Sequence, residues 1–453
     1  MKKLIVALCL VLAIAAAAVL AALSATPVIT VDPQVRSIGA STPVKFQVAD
    51  PYGARRLAAF VEQNGARYPV FERRHPSHRF WFLRLREAPV ALSIPVGKEQ
   101  APALKAGKAR IIIEAQSNDL VSRTVTTSFD VDVVLEPPRL TVDDAQHYIN
   151  QGGSEPVTFT VSGDWSEAGV KVGPYTFRSF PQPGKAANQR FSLFGFPWDL
   201  PVDTVPHVYA RNAAGAEVIA RFWFKVFPKP ARKRDLPIND AFLDKVVNQI
   251  DPGGTGDLLA RFLHINRDVR KQNNQTLSDL RLKTEERFLW NGPFAQLANS
   301  QVESHFADIR SYIYQGKKVD EQVHLGFDFA VSPHVPVAAA NDGRVVWAAD
   351  LGIYGNCIVV DHGYGLQSIY GHLSQIDVKP GDLVKKGQAM GRSGSTGLAG
   401  GDHLHFSMQV DGVQINPLEW FDAHWIHDRI LSNPGRPQLA ARFGRDLPSH
   451  AVL

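Results

Sequence analysis

Five side chains in the last third of the sequence have the chemistry to share one metal ion. They are His324 and Asp328, four apart, a lone His372 in Tyr370-Gly371-His372-Leu373-Ser374, and His403 and His405, two apart. Imidazole nitrogens and carboxylate oxygens are the donors of hydrolytic zinc sites, where three ligands leave a fourth position for water. On a β-strand, residues of even separation share a face. His324 can therefore lie beside Asp328, and His403 beside His405, while Leu404, Phe406 and Met408 form the opposite, apolar face. The chemistry this set implies is hydrolysis by a metal-activated water, with one Zn²⁺ per chain.

No fragment of the set is specific alone. With 15 histidines in 453 residues, a His-x-His arises about 0.5 times by chance. His424-x-x-x-Asp428 even repeats the first spacing, but it lacks strand alternation and lies beyond the apparent end of the domain. His362, before Gly363, is expected in a turn or behind the ligands, and His334 and His427 on the surface. Gly394-Ser395-Thr396-Gly397 lacks the lysine and the strand-to-helix frame of a phosphate loop. It is expected to border the groove.

The elements that must position these residues are mainly β. Ile29-Thr30-Val31-Asp32 followed by Pro43-Val44-Lys45-Phe46-Gln47-Val48 is echoed by Leu140-Thr141-Val142-Asp143 followed by Pro156-Val157-Thr158-Phe159-Thr160-Val161. Alternating apolar and polar residues between turn formers predict two immunoglobulin-like β-sandwich domains, residues 27–136 and 137–228. Residues 229–292 read as a basic, Pro-flanked linker, Lys229 to Arg234, and a short helical segment that can shield the groove. Asn239 caps a first helix that Pro252 stops, Leu258, Leu259, Phe262 and Leu263 mark a second, and a third runs from Leu277 to Phe288. Residues 293–421 return to short glycine-punctuated strands, an all-β domain holding every candidate ligand. The tail, 422–453, has little pattern.

Residues 1–26 are a signal peptide or an N-terminal membrane anchor. Lys2 and Lys3 precede an unbroken apolar run from Leu4 to Leu23, near the ~20 residues that span a bilayer. Both alternatives stay open, and either exports the chain to the periplasm or cell envelope. Cys357 is the sole cysteine of the exported part, so no intramolecular disulfide forms there. The net charge of +5 is a mild bias toward anionic surfaces. No nucleic-acid partner is expected, because the single dense basic run is a solvated linker.

Taken in order, the motifs resemble the zinc endopeptidases of the lysostaphin and LytM type, which cut peptidoglycan. The matching text is His324-Leu325-Gly326-Phe327-Asp328-Phe329-Ala330, Asp342-Gly343, Asp361-His362-Gly363, Tyr370-Gly371-His372-Leu373-Ser374, Gly394-Ser395-Thr396-Gly397, His403-Leu404-His405-Phe406 and Asn416-Pro417. The resemblance implies that His324, Asp328 and His405 hold the zinc and that His372 and His403 serve catalysis beside it. It implies an endopeptidase whose substrate is peptidoglycan, with the β-sandwich domains as spacers or modules for wall or envelope-protein binding. The alternative is a non-catalytic adaptor of the same fold that activates cell-wall amidases, against which the complete ligand set speaks. Two departures stand out. The family's Phe-Gly-x-Arg is replaced by Phe306-Ala307-Asp308-Ile309-Arg310, so Arg310 receives no role, and Asp402 stands where proline is frequent.

Overall fold

The computed structural model describes residues 2–22, 24–31, 35–77, 86–119 and 121–431; most of the expected tail, from 432 onward, lies outside the described residues. The apolar amino-terminal run forms helix α1 (Lys2–Ala22). Among the described residues no helix is long and apolar enough to cross a membrane.

By its internal contacts the chain divides into two units. One comprises Met1–Arg139, Ser162–Glu167 and Ala210–Val218; the other comprises Leu140–Val161, Ala168–Tyr209 and the chain from Ile219 on. In the first unit a three-stranded sheet, Val28–Val31, Thr42–Ala49 and Val90–Val96, faces a five-stranded one built on Ala54–Gln63, Gly107–Ser117 and Thr124–Val133. The sequence alternation does what it predicts. Val44, Phe46 and Val48 are buried while Lys45 and Gln47 are exposed, and the buried set packs with Leu57, Val61, Ile111 and Ile113 between the sheets.

In the second unit, the segment expected as a solvated linker is partly a strand. Lys233–Ile238 pairs in parallel with Asp308–Tyr314, which pairs antiparallel with Lys317–His324. Arg232 binds Asp308 through Nε and Nη2 at 2.9 and 2.8 Å. A basic run has become strand because a buried carboxylate and an open sheet edge were there to receive it.

Helix α2 (Asp240–Ile250) begins as expected, with Asn239 Oδ1 accepting from Phe242 N. Helix α3 (Leu258–His264) is capped by Asp257. It runs through a π-turn into α4 (Arg270–Asp279), which ends in a 3₁₀ turn at Leu280–Leu282. The third helix is therefore placed earlier than the expected Leu277–Phe288. Its sequence, RKQNNQTLSD, buries only Leu277, so no apolar stripe announces it. Leu243, Val247, Phe262, Ile265 and Leu277 pack on Val346, Cys357, Val359 and Ile369, covering one face of the central sheet.

That sheet is antiparallel, in the order Gln301–Ser304, Phe327–Ala330, His403–Val410, Leu366–Leu373, Asn356–Gly363, Gly343–Asp350 and Leu383–Val384. Its middle strands are buried on both faces, which explains the continuous apolar run Cys357-Ile358-Val359-Val360.

Candidate functional site

Strand register sets the core of the site. Asp328 lies directly opposite His405, and Ala330 opposite His403, so Asp328, His403 and His405 share one face of adjacent strands. His324 arrives differently from the expectation. It ends the strand Lys317–His324 of the smaller sheet, and after Leu325-Gly326 the chain starts Phe327–Ala330 in the central sheet. His324 and Asp328 thus do not alternate along one strand; they meet across a corner. Gly326 makes the corner close, because a Cβ there would lie 2.7 Å from both His405 Cε1 and Phe406 O.

The three donors converge. His324 Nε2 is 2.9 Å from Asp328 Oδ1 and 3.0 Å from His405 Nδ1, and His405 Nδ1 is 3.1 Å from Asp328 Oδ1. All three residues are buried. Ligands held ~2.0–2.1 Å from a tetrahedral zinc are ~3.3 Å apart, so these spacings suit a small dication. Donor chemistry agrees. His324 Nδ1 donates to His305 O at 3.0 Å, which leaves Nε2 as a lone pair. It faces a second imidazole nitrogen, while His405 Nε2 is buried without a partner. With the His405 proton on Nε2, two lone pairs oppose each other beside a carboxylate, a set a cation satisfies. Burial opposes ionisation of Asp328, yet His324, His405 and Arg310 hold its carboxyl well below the usual range. Burial also keeps His405 neutral, pushing it down to about 4.

His372 reaches the site through an irregularity. Gly371 is the residue opposite His405, so in a regular strand His372 would point to the other face. Its φ is 63°, and the pairing with Asn356–Gly363 shifts register at this point. The bulge turns the imidazole back, as bulges beside active sites do. Its ring centroid lies 4.7 Å from that of His403 and 5.8 Å from that of His405. His372 Nδ1 donates to Thr396 O at 2.8 Å, and His403 Nδ1 to Gly401 O at 3.0 Å. Each Nε2 is left with a lone pair. His403 Nε2 is 3.6 Å from Asp328 Oδ1. Burial, reinforced by His403 and His405, holds His372 well below its ordinary pKa, so it is neutral at neutral pH.

Arg310, given no role from the sequence, belongs to the site. Its Nη2 donates to Asp328 Oδ2 at 2.5 Å, on the carboxylate oxygen the histidines leave free. It stands one residue out of place against the family motif, and Ala307 has φ 65°, where glycine is the usual residue.

The other candidates fall outside. His362, expected in a turn or behind the ligands, lies in a core strand with Nδ1 donating to Asp342 O at 2.7 Å and is outside the metal group. His334 is exposed, and exposed His427 pairs with Asp428. The His424–Asp428 spacing builds nothing. The loop Gly394–Gly397 borders the site, through Thr396 O on His372. Helix α4 contributes Arg270 and Asn274 to the wall of the adjoining cavity.

Residues 322–417 match Peptidase family M23, which places a peptidase M23 domain at the carboxy-terminal end. Over 96 residues the chain is 43% identical to an uncharacterized metalloprotease of Haemophilus influenzae, covering 21% of this chain and 20% of that protein. It is 35% identical over 97 residues to the DD-carboxypeptidase/endopeptidase Mpg of Neisseria meningitidis and 41% identical over 96 residues to the peptidoglycan DD-endopeptidase ShyA of Vibrio cholerae. Each of these two matches covers 21% of this chain and 22% of the relative. The chain thus spans about a fifth of the length of these three relatives.

Proposed function

We propose that this chain is an exported, zinc-dependent endopeptidase that hydrolyses peptide bonds of peptidoglycan. The observation that carries the reading is the convergence of His324 Nε2, Asp328 Oδ1 and His405 Nδ1 within 2.9–3.1 Å of one another, with two further imidazoles alongside. Names of relatives such as ShyA and Mpg supply the substrate class.

In this assignment His324, Asp328 and His405 hold one zinc ion, which when bound supplies Lewis acidity to polarise the scissile carbonyl and acidify water. Arg310 keeps Asp328 ionised and oriented. His372 and His403 are fixed as Nε2 bases by their carbonyl partners. One accepts the proton of the attacking water; the other, once it carries a proton on Nε2, hydrogen-bonds the developing oxyanion or delivers that proton to the leaving nitrogen. Water adds a hydroxyl to the acyl carbon and a proton to the amine as the C–N bond breaks.

We further assign the two amino-terminal β modules the immunoglobulin-like class and a role in spacing, wall binding or envelope-protein binding. Residues 4–23 take the chain to the periplasm and hold it at the membrane if uncleaved. The test is digestion of purified sacculi by the whole chain, with released muropeptides identified by mass. Cleavage that disappears on chelation and in His405→Ala, with one zinc per chain in the wild type, supports the reading. Undiminished cleavage by His405→Ala sinks the ligand assignment, and amidase stimulation surviving loss of all three ligands favours the adaptor.

A further inference from the structure

One exposed face of the second unit has no part in the site described above. Between Glu217 and Asp235 the sequence holds no acidic residue, and alternate positions are apolar and basic in turn: Ile219, Arg221, Trp223, Lys225, Phe227 and Lys229. All six are exposed, while Phe222, Phe224 and Val226 between them are buried or half-buried. The water side of a strand is normally polar. Here Trp223 and Phe227 keep 48% and 39% of their surface exposed.

The middle of this run is built into a ribbon. Phe224–Phe227 pairs in parallel with His147–Asn150, with Tyr148 opposite Lys225, and successive residues of a strand point to opposite sides. His147 and Ile149 go to the core, so Tyr148 stands outward with Lys225 and Phe227. Its ring centroid lies 5.1 Å from that of Trp223 and 6.1 Å from that of Phe227. Lys225 Nζ is 5.3 Å from the Phe227 ring and Arg429 Cζ is 5.2 Å from the Tyr148 ring. Among the described residues neither cation is in an ion pair; both charges rest on aromatic faces.

Rings and cations interleaved on one face, with no carboxylate in the run, match the headgroup layer of an anionic bilayer, where aromatic and basic side chains collect. A neutral glycan would leave the cations idle, and a protein interface sets its apolar residues at the centre and its charges at the rim. The chain carries a second feature suited to lipid, because α1 exposes Leu8, Leu10, Val11, Leu12 and Ile14. We propose that the face formed by Tyr148, Trp223, Lys225 and Phe227 docks on anionic phospholipid, its cations on the phosphates and its rings among the headgroups. The choice of lipid rests in part on the reading of residues 4–23 as a membrane segment and is independent of hydrolysis.

The test uses the full chain with vesicles of brominated phosphatidylcholine, alone or mixed with brominated phosphatidylglycerol. The emission lost in Trp223→Phe isolates Trp223 from the other tryptophans. That emission is expected to be blue-shifted and quenched in the anionic vesicles and unchanged in the zwitterionic ones. The docked-to-free ratio read from the quenching is expected to be about fivefold lower in Lys225→Gln, the worth of one cation near an anionic surface, and lower still in Lys225→Glu. Equal emission in the two vesicles, or no quenching in the anionic ones, overturns the proposal. So does a Trp223 emission that responds to soluble peptidoglycan fragments and not to vesicles. Flotation with the zwitterionic vesicles reads α1 separately: a chain that stays behind there, while Trp223 is quenched in the anionic ones, loses the membrane reading of residues 4–23 and keeps the docking face.

Discussion

Gly326 leaves the space that the His405 imidazole occupies, since a methyl group at 326 would overlap both that ring and Phe406 O. Gly326→Ala is therefore expected to displace the corner at Leu325-Gly326 and weaken metal binding by about 10–100-fold, the usual cost of disturbing a ligand's support; chelator competition measures it. His372→Gln is expected to lower kcat by about 10²–10⁴-fold with zinc content unchanged, and a parallel loss of zinc by elemental analysis would make His372 a ligand instead. His324, Asp328 and His405, which the structure brings together, are among the five residues that donor type and the family resemblance singled out. Their geometry was not legible in the sequence. The corner at Leu325-Gly326, the left-handed φ of His372 and that of Ala307 are backbone events, and Arg310 was invisible because its motif had lost a glycine and gained a residue. Charge would have been the remaining clue, because a buried carboxylate such as Asp328 calls for a cation beside it.

Elements were readable where an apolar period or a cap announced them. Asn239 and the Leu243, Val246, Val247 stripe gave α2, and alternation from Thr42 to Ala49 gave a half-buried strand. Lys233–Ile238 and α4 were not readable, because one is strand only through pairing with Asp308–Tyr314 and the other is polar along most of its length. Tertiary partners decide both. The second β module shows the same effect. Read as a spacer, it is packed onto the M23 domain: Phe180 and Phe191 sit against Tyr364 and Phe288, and Arg178 binds Asp411 through backbone N and Nε at 2.6 and 2.7 Å. Asp411 is buried at 2% exposure. Arg178→Met leaves that carboxylate without its cation and is expected to cost about 3–5 kcal/mol, read as a lowered midpoint in denaturant unfolding. An unchanged midpoint would mean that the module is carried, not fastened.

At the scale of the molecule, Glu419 ties the second β module to the end of the M23 domain and makes that tie depend on pH. Its Oε1 accepts from Asn150 Nδ2 at 2.7 Å and its Oε2 from Ser154 N at 2.8 Å, beside a Trp420 Nε1 bond to Ser154 Oγ. Burial outweighs these two donors and pushes the carboxyl up to about 7, from 4.5. Raised pKa values in the folded state have a definite sign. The stabilisation is complete below pH 4.5, where both states are protonated, and declines as the unfolded chain ionises first. It is lost once the pH passes about 7, for a total of ~3 kcal/mol. Glu419→Gln removes that titration and sets an amide N–H against one of the two donors, so it is expected to be less stable at pH 5 by about 1–3 kcal/mol. Its deficit should then shrink as the pH rises toward 8. Melting curves of both proteins across pH 4.5–8 test this: the difference between them isolates the one group, and a deficit constant with pH would place Glu419 as an ordinary ionised carboxylate.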